Sequence, residues 1–294
     1  MPQIKVAAGV VNQTPMSWAS NTKHIILAIE EARKQSVSLL CMPELCITGY
    51  GCEDYFFAPD LVEQAQKCLL DIVDETAGIV VAVGLPVRHN GSLYNAACLI
   101  SNKQILGFYC KQYLANNGIH YEARWFRPWL PGTVDRIEIN QLSYPIGDVI
   151  FDLAGNVLHG ESDGVRIGFE ICEDGWVSNR PARRHFEKGV DIILNPSASH
   201  FAFNKFMTRE RLVVDASRTF SCSYIYTNLL GNEAGKAIYD GDAMVASNGD
   251  LLVSSPRFSY ADYLITTAVI DTDVTRLSQI QSYIAAPSGE KSWR

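Results

Sequence analysis

Several things are missing from this 294-residue chain, and each absence removes a class of function. No apolar run comes near the roughly 18–20 residues that a membrane span requires, so no membrane partner is expected. The chain opens into a strand-like apolar run over residues 4–11 with no charged-then-apolar leader, which reads as a cytoplasmic protein. Positive charge is not in excess. Lys and Arg number 25 against 32 Asp and Glu, a formal net charge of −7, which argues against nucleic acid or an anionic membrane surface as the main partner. The eight cysteines contain no CxxC pair and no zinc-type spacing, so reduced thiols are expected rather than a disulfide framework, and no metal centre is read. None of the six histidines lies in a context resembling a Cys–His protease. With 47% hydrophobic and 19% charged residues, the chain can bury a large core.

The apolar patterning alternates between strand and helix. Residues 4–11 read as a buried strand; Ser20 or Asn21 then caps a helix carrying Ile25, Ile29 and Ala32 at helical spacing. A short strand over 38–42 stops at Pro43-Glu44. Residues 47–57 read as a loop, 60–77 as an amphipathic helix and 79–87 as a strand, and 93–100 with 104–110 as a hairpin ending at Lys111. Residues 112–131 read as a long binding loop, and 149–158 as a hairpin turning at Ala154-Gly155-Asn156. A strand over 165–171, a helix over 183–188 and a strand over 192–194 follow. Next come a helix over 204–220 with Phe206, Met207, Leu212, Val213 and Ala216 in the core, and a strand over 224–227. Asn248-Gly249-Asp250 marks a hairpin, and 264–270 is strand-like. The succession strand, helix, strand, Pro-Glu over 4–44 is weakly repeated over 165–196. The expectation is one domain over residues 1–294, an α/β fold with two mixed sheets sandwiched between helix layers and two related halves.

Three residues fall at ends of expected strands: Glu44, Lys111 and Cys172. The carboxyl ends of parallel strands are where α/β proteins assemble sites. A thiol attacks as thiolate and needs a cation or a base beside it. With no suitable histidine, a carboxylate of raised pKa can accept the thiol proton and a lysine ammonium can hold an oxyanion. Taken singly, each of the three is more often ordinary: a core cysteine, an exposed acid, a surface lysine. The loop aromatics Tyr121, Trp125, Phe126 and Trp129 read more readily as a plug than as a ligand platform, and His200 as a structural histidine.

Together, the three resemble the Glu–Lys–Cys signature of the carbon–nitrogen hydrolase (nitrilase) superfamily. Longer blocks are similar to the glutamine amidase domain of glutamine-dependent NAD+ synthetases. These are Pro43-Glu44-Leu45-Cys46-Ile47-Thr48-Gly49-Tyr50-Gly51-Cys52, Leu114-Ala115-Asn116-Asn117-Gly118, Tyr121-Glu122-Ala123-Arg124-Trp125-Phe126, Cys172-Glu173-Asp174-Gly175-Trp176 and Tyr239-Asp240-Gly241-Asp242. The resemblance implies a four-layer α-β-β-α sandwich. It also implies Cys172 as nucleophile, Glu44 as general base and acid, and Lys111 with a backbone N–H next to Cys172 as oxyanion donors. Tyr50 and Glu173 would contact glutamine, Ser199 and Lys205 would grip its α-carboxylate and α-amino group, and Glu122 would position the lysine and the catalytic glutamate. Lys205 stands where several relatives have arginine, which weakens the expectation of a bidentate carboxylate contact.

The family's Ser-Gly-Gly-x-Asp-Ser phosphate loop does not occur in this sequence; Ser288-Gly289-Glu290 is not one. The resemblance therefore implies an amidase needing no cofactor, with ATP, Mg and deamido-NAD+ used by a synthetase domain or subunit as partner. By analogy it implies a homo-oligomer. Two rivals remain: a stand-alone amidase or carbamoylase acting on another small amide, and a non-catalytic regulatory or assembly module of the same fold.

Overall fold

The computed structural model describes residues 3–153, 164–233 and 236–282. The chain begins β1 (Gln3–Val11), α1 (Trp18–Lys34), β2 (Leu39–Cys41), α2 (Pro59–Asp74), β3 (Val80–His89), β4 (Ser92–Ser101) and β5 (Gln104–Cys110). A hairpin of β6 (Val134–Ile139) and β7 (Leu142–Gly147) follows. The second part runs β8 (Phe151–Leu153), β9 (Val165–Phe169), α3 (Ala182–Glu187), β10 (Ile192–Ser197), α4 (Lys205–Thr219) and β11 (Ser223–Asn228). It closes with β12 (Leu230–Glu233), β13 (Ala237–Asp240), β14 (Ala243–Ser247), β15 (Asp250–Ser254), β16 (Tyr263–Asp271) and α5 (Thr272–Gln281).

Two large mixed sheets carry the fold, in the orders β16-β1-β2-β3-β4-β5-β7-β6 and β15-β14-β11-β10-β9-β8. Each has a parallel triplet at its centre, β1-β2-β3 in one and β9-β10-β11 in the other. The two-residue period of these strands explains the layering, because each strand is apolar on both faces and so must be covered on both. Val6, Ala8 and Val10 of β1, with Leu39 and Cys41 of β2, face Ile192, Leu194, Ile225 and Val245 of the other sheet. Their neighbours Ala7, Val11 and Leu40 face the opposite way, onto Ile25, Ile29, Leu69 and Ile72 of α1 and α2. On the far side, Ile193, Tyr224 and Tyr226 pack under Val213 and Ala216 of α4. The result is the four-layer α-β-β-α sandwich. The Thr227 hydroxyl donates to the Gly9 carbonyl at 3.0 Å, across the interface between the sheets.

The structure departs from the sequence reading in several places. Helix α1 starts at Trp18, behind Ser17; Ser20 lies within it and so caps nothing. Asn21 also lies within the helix, fully buried, where it bonds the Thr14 backbone and the Ile47 carbonyl. The loop expected over 47–57 contains a 3-10 turn, Glu53–Phe57. The α2 helix stops at Asp74, and the β6–β7 and β12–β13 hairpins and α5 were not anticipated. Cys172 does not end a strand. β9 stops at Phe169, and Cys172 opens a 3-10 turn, Cys172–Gly175. Met207 is exposed rather than in the core, because it lies on the outer face of α4. The expected turn at Ala154-Gly155-Asn156 lies outside the described residues. All eight cysteines are free and buried.

Candidate active site

The parallel triplets bring their carboxyl ends to one place. Beyond β2 the backbone turns through Pro43-Glu44-Leu45 directly over Gly84 of β3; a Cβ there would lie 2.3 Å from the Leu45 nitrogen and 2.6 Å from the Pro43 oxygen. That close approach requires glycine. It fixes Glu44, which is 1% exposed. Glu44 Oε1 accepts from Lys111 Nζ at 2.6 Å and from Asn95 Nδ2 at 2.7 Å, and Oε2 accepts from the Ala198 backbone N–H at 2.8 Å. Ala198 follows β10, so the carboxylate spans the two sheets.

Lys111 follows β5, with its N–H bonded to the Asn95 carbonyl. Far from being a surface lysine, its side chain is fully buried between Glu44 and Glu122, the latter at 2.8 Å. Glu122 opens a 3-10 turn, Glu122–Arg124. Its Oε2 accepts from the Ala115 N–H at 3.0 Å, and its Oε1 from the Tyr50 hydroxyl at 2.7 Å. Two carboxylates therefore share one ammonium. Burial alone would lower the Lys111 pKa, but Glu122 and Glu44 outweigh it and hold the ammonium charged. Burial raises the Glu44 carboxyl above the ordinary range, partly opposed by Lys111.

Cys172 is 7% exposed and has φ +47°, a left-handed conformation that costs a non-glycine residue and projects its side chain from a tight elbow. Asp174 holds that elbow. Its carboxylate accepts from the N–H groups of Ile171, Gln112 and Tyr113 at 2.9, 3.0 and 2.8 Å, tying the segment after Lys111 to the turn that carries Cys172. Burial pushes the Cys172 thiol up to about 12, with Glu44 adding to the effect and Lys111 opposing it. Such a thiol is neutral near physiological pH, so its attack has to be coupled to removal of the proton.

The remaining expected residues lie around this centre. Glu173 is half-buried, next to Cys172 in the same turn, and burial raises its carboxyl. Ser199 is buried, its backbone held by Asn228 on both its N–H and its carbonyl. Lys205, the first residue of α4, is half-buried and lies 3.3 Å from His200 Nδ1. Burial and Arg209 lower its pKa. Tyr50 has its hydroxyl on Glu122 and within 3.1 Å of His120 Nδ1, so that hydroxyl is already committed within the protein. Three of the loop aromatics plug the fold, Trp125 and Phe126 packing with Phe56 and Leu61 and Trp129 lying against Gly147, whereas Tyr121 is exposed, with its hydroxyl on Glu53. A cleft of about 760 Å³, lined by His200, Phe201, Glu233, Lys236, Tyr239 and Phe258 among others, meets this region at His200.

Sequence reasoning missed Asn95, Asp174 and His120. Asn95 leaves a signal, a carboxamide at a fully buried position of an otherwise apolar strand. Among the described residues there is no cluster of three His, Cys, Asp or Glu suited to a metal ion, and no helix long and apolar enough to cross a membrane.

Comparisons with known proteins give the family. The carbon-nitrogen hydrolase family model matches residues 5–289. A putative glutamine-dependent NAD(+) synthetase of Schizosaccharomyces pombe is 33% identical over 95% of this chain, which covers 40% of that protein. The crystal structure of a glutamine-dependent NAD(+) synthetase from Cytophaga hutchinsonii superposes with a TM-score of 0.84 at 44% identity, over 92% of this chain and 43% of the other. An amidase from Nesterenkonia sp. shares the fold alone, with a TM-score of 0.70 at 18% identity over 93% of this chain and 92% of its own. The chain thus spans about 40% of the length of the curated relatives it matches. The match of the family model to nearly the whole chain makes it a member of the carbon-nitrogen hydrolase family.

Proposed function

We propose that the chain is a glutamine amidase unit that hydrolyses the side-chain amide of L-glutamine through a thioester on Cys172. The observation that carries this reading is the buried Glu44–Lys111–Glu122 cluster beside a strained cysteine. Glu44 takes the thiol proton as Sγ bonds the amide carbon. The oxyanion is held by the Lys111 ammonium, whose third hydrogen is left over after the two carboxylates, and by a backbone N–H next to Cys172. Collapse breaks the C–N bond, and Glu44 returns the proton to the leaving nitrogen, which departs as ammonia. Water then attacks the γ-glutamyl thioester while Glu44 takes one of its protons; the C–S bond breaks, the thiolate recovers that proton and glutamate leaves. Burial suits Glu44 to both proton transfers by raising its carboxyl above the ordinary carboxylate range.

Glutamine as substrate rests on the names of the relatives and on the polar groups around the centre. Glu173 and Ser199 would take the α-amino group, and Lys205 the α-carboxylate. Tyr50 would border the substrate with its ring. The ammonia would pass to a synthetase domain or partner that uses ATP, Mg and deamido-NAD+, and we place the unit in a cytoplasmic homo-oligomer by analogy.

The grip is the testable part. Lys205→Met should raise KM for glutamine by about tenfold or more, the size of a lost charged contact, while turnover of a short uncharged amide changes far less. Equal losses on both substrates would remove glutamine as the preferred substrate.

A further inference from the structure

A chain of contacts leads from Lys205 to the catalytic lysine. Lys205 Nζ lies 3.3 Å from His200 Nδ1, and the same nitrogen lies 2.9 Å from His120 Nε2. His120 Nδ1 lies 3.1 Å from the Tyr50 oxygen, whose hydroxyl reaches Glu122 at 2.7 Å; Glu122 in turn holds Lys111 at 2.8 Å. Both histidines are partly buried. Burial, with His200 and Lys111 adding, drives His120 down to about 3, so its ring is neutral and carries a single N–H.

With one hydrogen on each ring, these contacts cannot all be hydrogen bonds at once. Glu122 accepts from Lys111 Nζ and the Ala115 N–H, and Tyr50 donates to it. The Tyr50 oxygen then accepts from His120 Nδ1–H, leaving Nε2 bare to accept from His200 Nδ1–H. In that arrangement Lys205 faces an N–H and has nothing to donate to. If Lys205 instead donates to His200 Nδ1, that nitrogen is bare, its one lone pair is shared between Lys205 and the facing His120 ring, and the hydrogens beyond it reverse. His120 carries its proton on Nε2, Tyr50 turns its hydroxyl to His120, and Glu122 loses a donor. Lys205 and Glu122 therefore compete for the direction of one chain.

We propose that His200, His120 and Tyr50 form a hydrogen-bond relay that reports the occupancy of Lys205 to Glu122, with His120 as the positioning residue at its centre. The proposal rests on the glutamine reading for its natural trigger. A substrate carboxylate that takes Lys205 removes it from His200, the relay settles towards Glu122, and the added Tyr50 hydrogen bond fixes the carboxylate that aims the Lys111 ammonium. An amide without a carboxylate leaves the competition in place. Substrate recognition and oxyanion stabilisation are thereby coupled through neutral groups, with no net proton transfer.

The whole chain, labelled with 15N-histidine, tests this directly, since long-range 1H–15N couplings distinguish the two ring tautomers. In the ligand-free wild type the His120 nitrogens should show averaged tautomers. Lys205→Met should move the ring to the Nδ1–H form, and so should glutamine added to Cys172→Ala. A His120 tautomer that is the same in wild type and Lys205→Met overturns the relay, whatever the substrate is. In kinetics, His120→Phe should lower kcat for glutamine about tenfold, a typical inter-site coupling, with KM within about threefold. His120→Gln, which keeps one donor and one acceptor, should recover most of the loss. Lys205→Met sets the ring in the Nδ1–H form without a substrate carboxylate, so it should raise kcat for a short uncharged amide about threefold, and His120→Phe in that background should remove the gain; an uncharged-amide kcat that Lys205→Met leaves unchanged overturns the coupling. If the wild type releases no glutamate, the glutamine reading fails, and the tautomer comparison still decides the relay.

Discussion

Among the described residues, two cations are each buried between two carboxylates, and the proposed function puts the two clusters to different use. Lys111 lies between Glu44 and Glu122, and Arg209 lies against Asp240 and Asp242. The arginine fork is almost fully engaged. Its Nη1 meets both oxygens of Asp240, and its Nη2 donates to the carbonyls of Ser199 and His200 at 2.8 and 2.9 Å. That planar arrangement pins the segment after β10 to α4 and suits a structural role. The lysine is a compact point charge with three hydrogens, of which the glutamates use two. The Lys111 charge also acts on the Cys172 thiol, and in the proposed mechanism its remaining donor holds the oxyanion. On the proposed mechanism, what separates the two clusters is where the spare donor lies: that of Lys111 serves the reaction at Cys172, whereas the unpartnered Nε of Arg209 belongs to a structural clamp.

Exchanging the cations should break that contrast most severely. Lys111→Arg keeps the charge but lets a fork engage both carboxylates, and kcat for glutamine should fall by on the order of 10²–10³, as for loss of an oxyanion donor. Activity within tenfold of wild type would show that the spare ammonium donor is not what matters. Arg209→Met should act on stability instead. It takes the buried cation from both carboxylates, leaving Asp240 with only the more exposed Arg257 at 3.4 Å, and should cost about 3–5 kcal/mol in urea unfolding. A kcat loss per folded molecule as large as that of Lys111→Arg would erase the distinction between the clusters.

The smallest effect concerns pH. Burial pushes Asp242 up to about 7, against the pull of Arg209. Between its ordinary value and about 7 the folded chain keeps a proton that the unfolded chain has released. The stability this group confers is therefore fully present in acid and is lost as pH rises through about 7. Asp242→Asn cannot titrate, so the stability of wild type relative to this variant should decline between about pH 4 and pH 8. A gap that stays flat or widens in favour of the wild type would place Asp242 as an ordinary ion-pair partner.

The strands that build the sandwich were legible because both faces of β1, β2, β9 and β10 are apolar, and the motif blocks around Glu44, Lys111 and Cys172 name a chemistry. That the three side chains meet was not legible, since it depends on two sheets delivering strand ends that lie far apart in the chain. Arg209 illustrates the difficulty. Within Arg209-Glu210-Arg211 it looks like part of a solvated helix face, yet it is 1% exposed. Helix α5 shows the reverse. Val274, Leu277 and Ile280 give it an apolar spacing but are exposed, while Thr272, Thr275 and Gln279 face the protein. Hydrophobic period predicts which residues can be buried; a neighbouring network of polar groups decides which ones are. His120 escaped notice for the same reason, because its meaning lies in partners 70 and 80 residues away.

Release of glutamate from glutamine, measured for the wild type and Cys172→Ala side by side, tests the central claim most directly. Release by the wild type, and none by the variant, with or without a synthetase partner, ATP and deamido-NAD+ present, is the predicted result. Equal release by both proteins, or none from the wild type even with that partner and its substrates added, would contradict it.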